Sequence, residues 1–155
     1  AALNFIQEDD VLVASVSGHQ GCAAAGDRVM GMLKNCGGAG FVTDGPMRDY
    51  AGLVEVGLPA WCTGLTPASP FTKGPATVGL PINIGRQKIE SGDVIVADRD
   101  GVVVVPHNKI DFVINRLSKV ADLEYSLDAE VRGGLKIPDP VKDMILDDNV
   151  KFVDD

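Results

Sequence analysis

A chain of 155 residues is long enough for one domain with its own core, without disulfides or structural metal. Apolar residues make up 45% and charged residues 23%, which excludes wholesale disorder and a membrane-embedded chain. Fourteen Lys and Arg against 22 Asp and Glu leave a net charge of −8, so a phosphate backbone is repelled and nucleic acid is a poor first partner.

In chain order, an apolar start at residues 2–6 and the acidic turn Glu8-Asp9-Asp10 lead into VLVASVS, residues 11–17, whose β-branched run predicts a buried strand. CAAAGDRVMGMLKNC, residues 22–36, sets Val29, Met30, Leu33 and Cys36 at helical spacing and predicts a helix from near Gly26, stopped by Gly37 and Gly38. AGFVTDG, residues 39–45, predicts a second strand, followed by a proline turn and a helix over 50–56, closed by Gly57 and Pro59. A strand, helix and strand this close together predict a right-handed unit with parallel strands.

From Pro59 the texture becomes β-rich, with runs at 60–64, 76–84, 93–98 and 101–105 separated by Gly, Pro and Asp turns. SGDVIVADRDGVVVVP, residues 91–106, reads as two strands around a DRDG turn; the spacing does not suit an EF-hand calcium loop. Residues 109–131 return to helical patterning, with Ile110, Val113, Ile114, Leu117 and Val120 on one face, and a short amphipathic piece is expected around Met144 to Leu146.

The three cysteines, Cys22, Cys36 and Cys62, form no CxxC pair and have no histidines at zinc spacing, which points to a reducing, cytoplasmic setting. Cys22 and Cys62 read as small core residues rather than nucleophiles. No secretory leader is legible, and no apolar run approaches the roughly 20 residues of a spanning helix.

The chemistry concentrates in Gly26-Asp27-Arg28-Val29 and Gly45-Pro46-Met47-Arg48-Asp49. In a parallel unit both stretches follow strands, and open α/β sheets bind ligands beyond the carboxyl ends of their strands. Two carboxylates with room for water suit Mg²⁺ or Mn²⁺. The amides of Asp27 to Val29 at a helix start and the fork of Arg48 suit an anion such as a 2-oxo acid. The competing reading is structural: Asp27 favouring a helix start, Asp49 capping the next helix, and Arg48 pairing on the surface. His19 and His107 are the two histidines, and each reads as a loop residue before it reads as a general base.

GGAGFVTDGPMRDYAGLVEVGLPAWCTGLTP, then VGLPINIG, then SGDVIVADRDGVVVVP and a long helix, resembles the family of 4-hydroxy-4-methyl-2-oxoglutarate aldolases and RraA-like regulators of ribonuclease E. The resemblance spans most of residues 10–135 and is strongest over 37–106. The aldolases of that family carry an Asp, twenty intervening residues and Arg-Asp; Asp27, residues 28–47 and Arg48-Asp49 match it. The resemblance implies a compact α/β/β/α sandwich of the swivelling-domain, phosphohistidine-domain-like kind, a single RraA-like domain over 1–155, assembled as homotrimer or homohexamer. It implies that Asp49 binds a divalent metal cation directly or through waters while Asp27 holds the water shell, and that Arg48 and the amides of Gly26, Asp27, Arg28 and Val29 hold the pyruvyl part of the substrate.

The expected activity is a metal-dependent pyruvate aldolase with an oxaloacetate decarboxylase side reaction, proceeding through a pyruvate enolate, with a water oriented by the cation or by Asp27 as base. The alternative is a non-catalytic regulator binding ribonuclease E; Asp27 favours the enzyme, because such regulators tend to lack the acid. The older family label of a demethylmenaquinone methyltransferase has no glycine-rich nucleotide fingerprint to support it. The chain begins almost at the first strand, so an N-terminal segment typical of the family is expected to be missing. The loop from Ser17 to Gly21 does not align readily with the aldolases and is a candidate determinant of substrate choice. Glu124 and Glu130 are candidates for a glutamate supplied from a neighbouring subunit's C-terminal helix.

Overall fold

The computed structural model describes residues 1–70, 74–144 and 150–151. The chain parts into two compact units, Ala1–Ile110 and Asp111–Asp155.

The first unit begins with a 3-10 turn over Ala2–Phe5. It then runs β1 (Val11–Ala14), α1 (Asp27–Asn35), β2 (Gly40–Thr43), α2 (Tyr50–Val56) and β3 (Ala60–Trp61). The order β, α, β, α read from sequence is the order observed. β1, β2 and β3 form a parallel sheet in that sequence, with Val11 opposite Gly40, Ala14 opposite Thr43 and Phe41 opposite Ala60. All four residues of β2 are buried, as the central strand of a parallel sheet requires. β1 stops at Ala14, earlier than its β-branched run suggests, because Ser15, Val16 and Gly18 turn to bond Asp44.

α1 ends where glycine permits. Gly37 adopts φ 88°, and the amides of Gly37 and Gly38 donate back to the carbonyls of Lys34 and Leu33 at 3.0 Å each. The inner face of α1 buries Met30 and Leu33, which join Ala25, Phe41 and Met47 in the core, with Leu12, Val29, Leu53 and Val56 packed around them. Cys36, placed on that face by spacing, is exposed because it is already the helix cap. Cys62 is likewise exposed and Cys22 half-buried, so neither is a core residue as expected; β3 ends at Trp61 and leaves Cys62 in the following turn.

Two hairpins follow. β4 (Ile82–Ile84) pairs antiparallel with β5 (Gln87–Ile89), a strand that sequence reading did not separate. β6 (Val94–Ala97) pairs antiparallel with β7 (Val102–Val105) around the DRDG turn. Asp98 Oδ1 accepts from the amides of Asp100 at 2.8 Å and Gly101 at 3.2 Å, the turn chemistry expected of that motif. Trp61 Nε1 donates to Asp98 O at 2.6 Å and so ties this hairpin to the end of β3.

α3 (Ile110–Arg132) leads into the second unit, which also holds α4 (Asp139–Met144). Ile110 and Val113 are half-buried, whereas Ile114, Leu117 and Val120, which share their face by helical spacing, are exposed. The expected piece around Met144 to Leu146 is seen as far as Met144; the rest lies outside the described residues. Among the described residues no helix is long and apolar enough to cross a membrane.

Candidate active site

Beyond the end of the parallel sheet, three segments continue side by side. Met47 bridges Ala25 on one side and Leu65 on the other, both in parallel sense. Arg48 N donates to Ala25 O at 3.1 Å, Met47 N to Gly64 O at 2.9 Å, and Thr66 N to Met47 O at 2.9 Å. This register carries Gly26-Asp27 and Arg48-Asp49 to neighbouring positions. Met47, wholly buried, anchors the middle segment.

Gly26 precedes α1 in extended conformation, φ −141° and ψ −173°, which any residue can adopt. Its requirement is for space. A Cβ there would lie 2.7 Å from Asp49 Oδ2, 3.0 Å from Arg48 Cγ and 3.2 Å from Arg48 Nε. Asp49 sits before α2 at φ 62° and ψ 47°, a left-handed conformation that aspartate tolerates better than most residues, and its carboxylate makes no capping bond to the helix. The side chain meets Arg48 instead, with Nε 3.2 Å from Oδ2. Arg48 Nη1 donates to Ser69 Oγ at 2.9 Å. A shallow cleft of about 300 Å³ opens at this point, lined by Arg48, Asp49, Tyr50, Leu65, Thr66 and Pro67.

Asp27 lies in the first turn of α1, as expected, and its Oδ1 accepts from the amide of Arg28 at 2.6 Å. Its carboxyl rests against α2, where a Cβ on Gly52 would stand 2.5 Å from Oδ2. Asp27 and Arg28 line a second cleft, of about 520 Å³, running between α1 and α2. That cleft is larger, but the fork of Arg48 and the left-handed Asp49 belong to the smaller one, so chemistry and size point to different places. The smaller cleft combines the Arg48 guanidinium, held by Ser69, with the partly exposed carboxylate of Asp49, and is the candidate site. Val29 N is turned into the helix and donates to Gly26 O at 3.1 Å. The contacts therefore join Gly26, Arg48 and Asp49, while the side chain of Asp27 makes its contacts with Arg28 and Gly52.

The chain matches the family model RraA-like, Aldolase/RraA, over residues 1–104. This chain belongs to the Aldolase/RraA family. A protein of Halalkalibacterium halodurans that carries 4-hydroxy-4-methyl-2-oxoglutarate aldolase as a provisional name is 39% identical over 110 residues, covering 71% of this chain and 52% of that protein. The chain thus spans about half the length of that relative. Streptomyces coelicolor RraAS2, described as an unusual member of the RNase ES inhibitor RraA protein family, superposes with a TM-score of 0.74 at 34% identity, over 84% of this chain and 66% of that one. An uncharacterized protein from Pseudomonas syringae pv. tomato superposes with a TM-score of 0.79 at 27% identity, over 86% of this chain and 67% of that one. The mixed α/β fold of the RraA-like kind is the fold of this chain.

Within this Aldolase/RraA chain the donor chemistry can be compared with a divalent cation. Mg²⁺ and Mn²⁺ are satisfied by one or two carboxylates with water in the remaining positions. Among the described residues no group of three or more His, Cys, Asp or Glu is arranged to enclose a metal. A largely hydrated hard cation needs no such enclosure, and Asp49, with its side chain 41% exposed beside an open cleft, fits it.

Two residues that sequence reading passed over matter to this region. Ser69 holds the tip of Arg48, and nothing in its spacing announces that. Asp44 accepts from Ser15 Oγ at 2.8 Å, Val16 N at 2.6 Å and Gly18 N at 2.9 Å, which sets the loop from Ser17 to Gly21; the Asp-Gly pair was the available signal. Gln20 extends that clamp, donating to Asp44 O at 3.0 Å and accepting from Thr63 Oγ1 at 2.7 Å. His19 stands over Gly21 in the same loop, and His107 lies in a 3-10 turn before α3, its amide donating to Asp93. Glu124 and Glu130 lie exposed on α3.

Proposed function

We propose that this chain is a divalent-cation-dependent pyruvate aldolase that cleaves 4-hydroxy-2-oxo acids, with 4-hydroxy-4-methyl-2-oxoglutarate as prototype and oxaloacetate decarboxylation as a second activity. The observation that carries the reading is the arginine held between Ser69 and Asp49, packed on a glycine at the start of α1. The provisional name of the Halalkalibacterium relative supports the substrate class.

Arg48 binds the 1-carboxylate and 2-oxo oxygens of the substrate with its outer N–H groups. A water in the cleft beside Arg48 and Asp49 takes the proton of the 4-hydroxyl and later delivers it to C3, the C3–C4 bond breaks, and its electron pair moves onto C3 and the 2-oxo oxygen. The products are one oxo acid and a pyruvate enolate, which takes a proton at C3 to become pyruvate; the prototype thus yields two pyruvates. Arg48 stabilises the charge that grows on the enolate oxygen. A Mg²⁺ or Mn²⁺ ion would be held by the Asp49 carboxylate with water in its remaining positions, and would supply Lewis acidity to the developing enolate. Loss of CO₂ from oxaloacetate leaves the same enolate, so one site serves both reactions.

We expect the protein to act in the cytoplasm as a homotrimer or homohexamer. The apolar side chains exposed along α3, among them Leu117, Leu123 and Leu127, support burial against further copies. The likeness to RraAS2 favours a second reading, a regulator that binds ribonuclease E without chemistry.

Pyruvate release from oxaloacetate and from 4-hydroxy-4-methyl-2-oxoglutarate, with Mg²⁺, with Mn²⁺ and with EDTA, separates the two. Release that EDTA abolishes is the expected result. No release in any condition, together with binding to ribonuclease E, overturns the enzyme reading.

A further inference from the structure

We infer that Ser69 is a positioning residue: its hydroxyl sets the direction in which the Arg48 guanidinium presents its outer N–H groups to an anionic substrate. The inference rests on the reading of Arg48 as the group that holds the anion. An arginine carries five N–H donors in a planar fork. Two sides of that fork are engaged here: Nε lies 3.2 Å from Asp49 Oδ2, and Nη1 donates to Ser69 Oγ at 2.9 Å. Neither contact uses Nη2. Nη2, with both of its protons, is therefore the part of the fork left to meet the oxygens of a 2-oxo acid.

The contact with Asp49 does not set the direction of Nη2. Nε is buried and makes no hydrogen bond, so its approach to Oδ2 is a charge pair without directional N–H geometry. Such a pair fixes a distance. Rotation of the guanidinium about its bond to Cδ is fixed by the second contact, at Ser69. The stem is restrained independently, since Arg48 Cγ lies against Gly26.

Ser69 is itself tied to the segments that carry the site. Thr66 N donates to Met47 O at 2.9 Å, one residue before Arg48, and Thr66 Oγ1 accepts from Ala68 N at 3.3 Å. Ala23 N donates to Ala68 O at 3.0 Å, so the residue before Ser69 is bound to the segment that leads into Gly26. Hydroxyl, guanidinium and glycine are thereby referred to one backbone ladder. Ordering the arginine before the ligand arrives removes part of the entropy cost of binding.

The test uses the full chain with Ser69→Ala and Ser69→Thr. Pyruvate release in Mg²⁺ is measured beside calorimetric binding of oxalate, a planar probe of the enolate oxygens that requires no turnover. Ser69→Ala is expected to raise KM and weaken oxalate by about fivefold with a smaller effect on kcat, while Ser69→Thr, which keeps an Oγ, stays within about twofold of wild type. The loss is set below that of a buried charge-assisted bond because Ser69 is exposed and water replaces part of the contact. Wild-type affinity for oxalate in Ser69→Ala, or equal losses in both variants, overturns the inference. If the wild type binds oxalate but releases no pyruvate, the aldolase reading fails, and weaker oxalate binding by Ser69→Ala still supports the role of Ser69. Wild-type protein that neither releases pyruvate nor binds oxalate overturns both.

Discussion

Gly26 and Asp49 are in such close contact that a single added methyl group on the glycine would stand 2.7 Å from the carboxylate oxygen. The backbone angles of Gly26 are open to any residue, so Gly26→Ala tests space alone. The variant is expected to fold with an unchanged circular dichroism spectrum, because Arg48 and Asp49 are partly exposed and can move aside. Displacing both by a fraction of an ångström should lower kcat/KM for pyruvate release about a hundredfold. Undiminished turnover in Gly26→Ala would show that this contact is no part of the site.

Asp49 combines a charge with a left-handed backbone, and the two are separable. Asparagine tolerates positive φ as aspartate does, so Asp49→Asn removes the charge with little backbone penalty, whereas Asp49→Ala adds strain of about 1 kcal/mol. Both variants are expected to lose Mg²⁺-dependent pyruvate release, and Asp49→Asn should do so with a melting temperature close to that of wild type. Metal-dependent release that survives in Asp49→Asn would remove Asp49 from the cation's ligands.

Arg48→Lys keeps a positive charge and discards the fork. A lysine ammonium is a point charge and cannot meet Ser69, Asp49 and two substrate oxygens in one plane. We expect kcat/KM to fall by at least about tenfold, read from initial rates over a range of oxaloacetate concentrations. A rate equal to wild type would mean that charge alone suffices and that the planar geometry is incidental.

Asp93 gives a prediction about acid stability. Backbone amides of Glu90 and His107 donate to its two oxygens at 2.9 Å each, and these bonds, with the nearby charges of His107 and Lys88, hold its carboxyl below the usual range despite a small opposing effect of burial. A carboxylate with a depressed folded-state pKa contributes stability that is present above the unfolded value and lost as pH falls through the folded one. Asp93→Asn can accept only one of the two bonds. The variant should therefore melt below wild type at neutral pH, and the gap should close below about pH 4, as the wild-type side chain takes up its proton. A gap that is constant from pH 7 to pH 3 would assign the loss to something other than the carboxylate charge.

Much of this architecture was legible locally. The span of α1 followed from Met30 and Leu33 at helical spacing and from the two glycines after it, and the β6–β7 hairpin from DRDG, since periodicity and turn chemistry act over a few residues. The parallel pairing of β1 with β2 followed from the short crossover between them. β5 escaped although Gly85, at the first position of a two-residue turn with φ 58°, was an available hairpin signal, because the three-residue strands beside it are too short to show alternation; the exposure of Cys62 escaped because a two-residue β3 cannot be bounded from pattern.

By itself the sequence determined the order β1, α1, β2, α2, the residue types available at Gly26-Asp27 and Arg48-Asp49, and the resemblance now matched by the Aldolase/RraA family. Only the tertiary structure decided which of these groups touch. Ser69 reaches Arg48 from 21 residues away and Thr63 reaches Gln20 from 43, through a ladder whose register no local pattern encodes. Asp27, adjacent to Gly26 in the chain, rests its carboxyl on Gly52, because helical geometry turns successive side chains in different directions. Side-chain types can be read along one dimension, but contacts between segments depend on how the packed core at Met47, Ala25 and Phe41 aligns them.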